Sequence, residues 1–366
     1  MKIGIFGGSF NPIHKGHILI AEDAIQELGL DELYFVPANK NPFKKNQDYE
    51  SSEHRINMIK LVISHNPKMK ISEFETNRNT LSYTIDTVEY FVSKFKDAKF
   101  YFLIGSDNLP KLHKWKEIDK ISELVKISVF NRTKKYKHLN FKKYNCLQLH
   151  NKFYDFSSTN YRKGNLQQVD EKVQKYIGSN FLYFDEIAKH SLSHFRYYHL
   201  KQTADFALKL SKYLKPNDKE FHIKAYRAGY MHDITKEWSN EKSFEYLKKY
   251  GEENILPYKY HQTTAYYFLK YDYMYLDEEV LDSIKVHTTL SLDPTLLDKI
   301  LYVADKIGLG RTWKGVQKLR NLAFKDFDKS LDETIKVCCL DYNREKGIIF
   351  TPDQKEIYEK ILKIKL

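Results

Sequence analysis

Gly7-Gly8-Ser9-Phe10-Asn11-Pro12-Ile13-His14-Lys15-Gly16-His17 lies between two stretches of different periodicity, and its reading decides the fold. Before it, Lys2-Ile3-Gly4-Ile5-Phe6 is the short apolar run of a buried strand; after it, Ile18, Leu19, Ala21, Ala24, Ile25 and Leu28 recur at helical spacing. The glycines therefore fall at a strand-to-helix turn. There a backbone without Cβ atoms lets a ligand come close, and the next helix offers free N–H groups at the positive end of its dipole. A phosphate suits such a turn. His14 and His17, with Gly16 between them, border the same point, and imidazole N–H groups there can neutralise charge on a transferring phosphoryl group without acting as bases. A glycine turn alone is a weak signal, since a tight turn with two hydrogen-bonded histidines needs no ligand. The eleven residues together are far more specific.

That string closely resembles the G-G-[ST]-F-[DN]-P-x-H-x-G-H signature of the nucleotidyltransferase superfamily, in particular the bacterial nicotinate-mononucleotide adenylyltransferases. The resemblance implies an α/β Rossmann-like domain on a parallel sheet, with ATP and nicotinate mononucleotide as substrates and Mg2+ accompanying ATP. It also implies catalytic roles for His14 and His17, with Gly7, Gly8, Ser9 and Phe10 against the nucleotide. Further along, Leu33-Tyr34-Phe35-Val36 is a second short strand, and strand, helix, strand within about 35 residues begins a parallel sheet with a right-handed crossover. The loop from Pro37 resembles the family's P-x-x-x-x-P-H-K pattern with Phe43 where His is usual, and Lys44 keeps a cation for phosphate. His54-Arg55 matches the family's H-R-x-x-M helix, where both residues serve either structure or ligand. Ser82-Tyr83-Thr84-Ile85-Asp86-Thr87 resembles the S-Y-T-x-D-T element that lies against the mononucleotide, with Thr84 expected to cap a helix.

The strand from Lys99 to Ile104 leaves through Gly105-Ser106-Asp107, and Trp115 follows eight residues later. In the resembled family these positions flank the pyridine ring with the indole stacked on it, a sensible pairing of an electron-rich with an electron-poor ring. The strand from Ile127 to Phe130 runs to Arg132, matching the family's strand-end arginine. Ser157-Ser158-Thr159-Asn160-Tyr161-Arg162 resembles the I-S-S-T-x-I-R element that holds the ATP triphosphate; hydroxyls at a helix start and a guanidinium fork suit that task.

From about residue 185 strand-like runs give way to long helical periodicities, so residues 1–184 are expected to form the adenylyltransferase domain and 185–366 an all-α bundle. His199, the pair His232-Asp233, His261, His287 and Asp305 each interrupt an apolar helical stretch, and a buried ionisable residue is costly unless paired or metal-bound. The set His, His-Asp, His, His, Asp strongly resembles the HD phosphohydrolase superfamily in its binuclear form. The R-Y-x-H, V-H-T-T and Y-V-A-D-x-I segments narrow this to the bacterial hydrolases that split diadenosine tetraphosphate symmetrically. The resemblance implies that His199, His232, Asp233 and Asp305 hold one metal and Asp233, His261 and His287 the other. Imidazole and carboxylate ligands without cysteine suit iron or manganese. Lys236 and Arg311 are expected to neutralise the phosphate chain; Gly308-Leu309-Gly310 departs from the proline and glutamate common there.

Composition sets the bounds. The length of 366 residues suggests about two domains, and 42% hydrophobic with 30% charged residues describes an ordinary protein able to bury cores. The net charge of +12 is interleaved apart from Lys134, Lys135, Lys137, Lys142 and Lys143, which read better as a solvated loop or a field for anionic nucleotides than as a nucleic-acid patch. Three cysteines make no disulfide framework and no zinc spacing, which suggests a reducing compartment. With no signal segment and no apolar run of about 18 residues, a cytoplasmic enzyme away from the membrane is expected, with oligomeric state left open. The expected activities are adenylyl transfer to nicotinate mononucleotide and metal-dependent hydrolysis of a dinucleoside polyphosphate. The alternatives are a pantetheine-phosphate adenylyltransferase-like first half, and a second half acting as a general nucleotide phosphohydrolase or a non-catalytic nucleotide sensor.

Overall fold

A computed structural model describes residues 1–39, 49–78, 81–132 and 139–366; Lys44, Lys134, Lys135 and Lys137 fall outside these ranges. The chain divides into two compact units, Met1–Tyr183 and Phe184–Leu366.

The first unit carries a six-stranded, all-parallel sheet. Its strands are β1 (Lys2–Gly8), β2 (Glu32–Pro37), β3 (Met69–Ile71), β4 (Lys99–Gly105), β5 (Lys126–Phe130) and β6 (Leu147–Gln148), in the order β3-β2-β1-β4-β5-β6. The helices are α1 (Lys15–Leu28), α2 (Ser52–Ile63), α3 (Thr84–Lys94), α4 (Ile118–Leu124), α5 (Leu139–Lys143), α6 (Ser158–Arg162) and α7 (Glu171–Asn180). The chain starts mid-sheet, builds outward to β3, then returns to β4 on the other side of β1. In such a sheet a crevice opens outside the carboxyl ends of β1 and β4, where successive connections diverge. Buried side chains of β1, β4 and β5, such as Ile5, Phe102 and Ile127, pack with Val88 and Phe91 of α3 and Ile121 of α4 in one core. Helix α1 ends at Gly29, whose φ of 61° is cheap only for glycine. Thr84 does not cap α3 as expected: it is the first helical residue, and Tyr83, still extended at φ −95° and ψ 135°, takes the cap position.

The second unit is helical throughout its assigned elements: α8 (Phe184–Ser191), α9 (His194–Leu214), α10 (Lys219–Met231), α11 (Asn240–Lys248), α12 (Tyr260–Tyr267), α13 (Glu278–Val286), α14 (Leu296–Ile307), α15 (Val316–Ala323), α16 (Phe327–Ile335), α17 (Tyr342–Lys346) and α18 (Pro352–Leu362). Helix α10 packs against α9, α13 and α14, and α12 against α13. The crossing of α9 and α10 is close because Gly229 has no side chain: a Cβ there would stand 2.7 Å from the Ala204 Cα. That approach brings His199 on α9 near the end of α10. No helix of the described residues is long and apolar enough to cross a membrane.

Candidate functional site

A cleft of about 460 Å³ opens at the carboxyl ends of β1, β4 and β5. Gly7, Gly8, Ser9, Phe10, His14, His17, Thr84, Gly105, Asp107, Trp115, Arg132, Ser157, Ser158, Thr159 and Arg162 all line it, although they come from segments up to 155 positions apart. Of the residues expected at this site, Lys44 alone lies outside the described ranges.

The turn after β1 is fixed by packing. Phe10 has a left-handed backbone, φ 45°, a conformation that costs a non-glycine residue of order 1 kcal/mol. Its ring repays this in the core, 5.7 Å from Phe6, 5.6 Å from Phe35 and 4.9 Å from the His17 ring. Gly8 is needed for Phe10 itself, since a Cβ there would lie 3.0 Å from the ring. Asn11 anchors the next step: its Oδ1 accepts from the Glu50 N–H at 3.1 Å and the Tyr183 hydroxyl at 2.9 Å. The Tyr183 N–H in turn donates to Glu50 Oε1 at 3.2 Å.

His14 and His17 are locked reciprocally. The His14 N–H donates to His17 Nδ1 at 3.1 Å, the His17 N–H donates to the His14 carbonyl at 2.9 Å, and the rings stack at 3.5 Å. With Nδ1 accepting, the His17 proton is assigned to Nε2. His14 is 5% exposed and neither ring nitrogen has a partner. Burial, with Arg132 adding to it, pulls its pKa down to about 3, so the ring is neutral at physiological pH.

At the opposite wall, Ser157 Oγ accepts from the Thr159 and Asn160 N–H groups, and the Ser158 hydroxyl donates to the Pro12 carbonyl at 2.8 Å. Arg162, 9% exposed, donates to the Asn11 carbonyl. Part of this element's bonding capacity thus holds the two walls together. Trp115 is half-buried, edge-on to Phe102 at 6.1 Å, and packs against the core while lining the cleft. Gly105 leaves room for its neighbours, since a Cβ would collide with the Asp107 side chain. The Arg132 N–H donates to Ser106 Oγ at 3.1 Å, and its guanidinium stands 3.8 Å from the Asp107 carboxylate.

Three residues in or beside this site were undecided or missed by sequence. Arg55, 1% exposed, is a structural clamp: it donates to the carbonyls of Ser9 and Ala38, each at 2.8 Å, tying the exits of β1 and β2. His54 bonds Tyr176 at 2.9 Å. Glu75, 9% exposed and in the cleft wall, accepts from Thr87 at 2.5 Å; burial pushes its pKa up. Nothing in the spacing around Glu75 separates it from a surface glutamate.

In the second unit six side chains from five segments converge. His199 Nε2 lies 3.0 Å from Asp305 Oδ1, and His232 Nε2 is 3.6 Å from Asp233 and 3.8 Å from Asp305. Asp233 divides its oxygens: Oδ2 faces His199 and His232 at 3.9 and 3.6 Å, Oδ1 faces His261 and His287 at 3.7 and 3.4 Å. His199, His232 and Asp305 form one group able to hold an ion, and His232, Asp233 and His287 another. His232 and His287 each use Nδ1 on a backbone carbonyl, Gly229 at 2.8 Å and Ile284 at 2.7 Å. Their protons are thereby assigned to Nδ1, which leaves Nε2 as a free lone pair. His232 Nε2 and Asp233 Oδ1 are buried without hydrogen-bond partners. Two orphaned acceptors within one buried cluster of imidazoles and carboxylates are what a cation satisfies, so the donor set fits a metal.

The surrounding charges are basic. Arg196 pairs with Asp233 Oδ2 at 2.8 Å, while Lys306 and Arg311 pair with Asp305 at 2.8 and 2.9 Å. Lys236 bonds His261 Nε2 at 2.9 Å. Burial raises the carboxyl of Asp233, but the surrounding positive charge, Lys236 among it, outweighs this and holds the group well below the usual range. For Asp305, burial is likewise overcome by the Lys306 ammonium and a hydrogen bond from His199. Burial lowers His232 to about 3 and His261 well below its ordinary value, keeping both imidazoles neutral. Sequence reading named Lys236 and Arg311 but not the pairing of Arg196 and Lys306 with the two aspartates; their signal was only adjacency to the motifs.

Comparison with known proteins agrees with this division. Residues 5–164 match the cytidylyltransferase-like family and residues 196–308 the HD domain family. A Mycoplasma pneumoniae protein named "probable nicotinate-nucleotide adenylyltransferase/Ap4A hydrolase" is 30% identical, the alignment covering 91% of this chain and 97% of the relative. A Mycoplasma genitalium protein of the same name is also 30% identical, over 92% and 97%. The nicotinate-nucleotide adenylyltransferase of Bacillus subtilis is 36% identical over 50% of this chain and 98% of its own length.

Proposed function

The chain belongs to the family in which a nicotinate-nucleotide adenylyltransferase and an Ap4A hydrolase are joined, and from that membership we propose a cytoplasmic bifunctional enzyme. Residues 1–184 transfer the adenylyl group of ATP to nicotinate mononucleotide, giving deamido-NAD and pyrophosphate. Residues 185–366 hydrolyse diadenosine tetraphosphate symmetrically to ADP.

The first assignment is carried by the assembly of fifteen separately identified side chains and glycines in one cleft at the sheet's switch point. The mononucleotide phosphate oxygen attacks the α-phosphorus in line, the bond to the β-phosphate oxygen breaks, and pyrophosphate departs with its Mg2+ counter-ion. His17, with its proton on Nε2, donates to the non-bridging oxygens as negative charge gathers, and neutral His14 backs it. Arg132 and Arg162 supply positive charge, with Lys44 added on the strength of the sequence alone. Ser157, Ser158 and Thr159 line the triphosphate end; Thr84, Gly105, Asp107 and Trp115 receive the pyridine nucleotide, the indole against the ring.

The second assignment is carried by the buried, unpartnered His232 Nε2 and Asp233 Oδ1. His199, His232, Asp233 and Asp305 would hold one ion and Asp233, His261 and His287 the other, iron or manganese by ligand type. Such a pair, when bound, activates water and polarises a phosphoryl oxygen. The protein fixes imidazole tautomers through the Gly229 and Ile284 carbonyls, and Lys236 and Arg311 face the polyphosphate with positive charge.

The test is pyrophosphate release from ATP with nicotinate and, separately, nicotinamide mononucleotide, alongside product analysis from diadenosine tetraphosphate after addition of iron or manganese. Release with phosphopantetheine instead would overturn the first assignment. ATP plus AMP as products would overturn symmetrical cleavage, and no hydrolysis with either metal would leave the sensor reading of the second unit.

A further inference from the structure

The first unit has another cavity, of about 470 Å³, whose wall shares His14 and Phe156 with the cleft. Its apolar lining comes from three helices: Ile18 and Leu19 of α1, Leu61 and Val62 of α2, and Val173 of α7. Ile18, Leu19 and Leu61 stay only half-buried, so the lining is an accessible apolar surface rather than closed core. The rim is charged. Asp170 is occupied in capping α7, accepting the Lys172 N–H at 2.9 Å, and His65 pairs with Glu22 at 3.1 Å. Lys15 donates only to the Gln167 carbonyl, at 3.1 Å, and neither it nor the exposed Lys172 forms an ion pair with a described residue. An apolar basin edged by two ammonium groups that form no ion pair with a described residue, against the one carboxylate of Asp170, complements an apolar body with a negative end.

We propose that this cavity binds a small amphipathic anion, a flat or alkyl body on Ile18, Leu19 and Leu61 with one carboxylate, sulfonate or phosphate at Lys15 and Lys172. Its occupation bears on His14, one of the two residues that line both it and the cleft. The effect on catalysis rests on the adenylyl-transfer assignment above; the binding does not, so the two can fail separately.

The probe is 8-anilino-1-naphthalenesulfonate, titrated into the full chain with the cleft saturated by ATP and magnesium. Saturable binding of one molecule is expected, with a dissociation constant on the order of tens of micromolar for a ligand of this size. Leu61→Trp, which fills the basin, should weaken it at least about tenfold. Lys172→Glu, on an exposed side chain that leaves folding intact, should weaken it about fivefold. The His14 ring resonance should shift with the probe in the wild type and not in Leu61→Trp. Equal binding by all three proteins would overturn the proposal. So would a wild-type dimer that Leu61→Trp dissociates, since a second copy of the chain would then be what covers the basin. Binding in the cavity without a shift at His14 would overturn the link to catalysis.

Discussion

His14→Gln should make the first unit relatively more acid-resistant. The His14 ring is buried with no partner for either nitrogen, and burial lowers its pKa from 6.5 to about 3. A proton therefore binds the unfolded chain in preference to the folded one. The stabilisation from keeping the ring neutral is complete above about pH 6.5 and is lost progressively as pH falls towards 3. At pH 5 the unfolded histidine is mostly charged and the folded one is not, which costs the fold about 1.4 kcal/mol for each of the 1.5 pH steps below 6.5, about 2 kcal/mol in all. Glutamine does not titrate. Whatever offset the substitution causes at pH 7, the stability of the variant relative to wild type should rise by about 2 kcal/mol on going to pH 5. Urea unfolding of both proteins at the two pH values measures this, with the ring titrated directly by NMR. A His14 resonance titrating near 6.5, or a stability difference unchanged between pH 7 and 5, would refute the reasoning.

Three other outcomes are expected. His17→Ala should lower adenylyl-transfer turnover by about 10² to 10³, with hydrolysis in the second unit intact; wild-type turnover would remove His17 from the reaction. Trp115→Ala should raise KM for the mononucleotide well above any change for ATP, and because the indole also packs on Phe102 its melting point should fall; equal KM changes would make Trp115 a packing residue only. Asp233→Ala should lose bound metal and diadenosine tetraphosphate hydrolysis together while adenylyl transfer survives; full metal content by elemental analysis would count against a bridging carboxylate.

Legibility in the sequence followed locality. The Gly7 to His17 string, the Ser157 to Arg162 element and the His232-Asp233 pair are short stretches whose residue types carry their chemistry with them, so each is legible from its own residues. Strands β3 and β6, of three and two residues, are not, since they are too short to show alternation. Arg55 stayed undecided and Glu75 escaped for another reason: each is an ordinary charged residue until distant segments bury it, Arg55 by the exits of β1 and β2, Glu75 by the start of α3. Lys306 is the clearest case. Neighbours in a helix do not face each other, yet its long side chain reaches Asp305, and only the surrounding bundle makes that pair buried.

Tyr183 is the last residue of the first unit, and its hydroxyl and N–H hold Asn11 and Glu50 at the turn after β1. The carboxyl end of the first unit is therefore constrained by chemistry at its amino end. A gene shortened to end before codon 183 deletes a hydrogen-bond donor from a turn encoded more than 170 codons upstream. Codon 183 is thus the earliest end of the first unit that keeps this donor for the turn after β1.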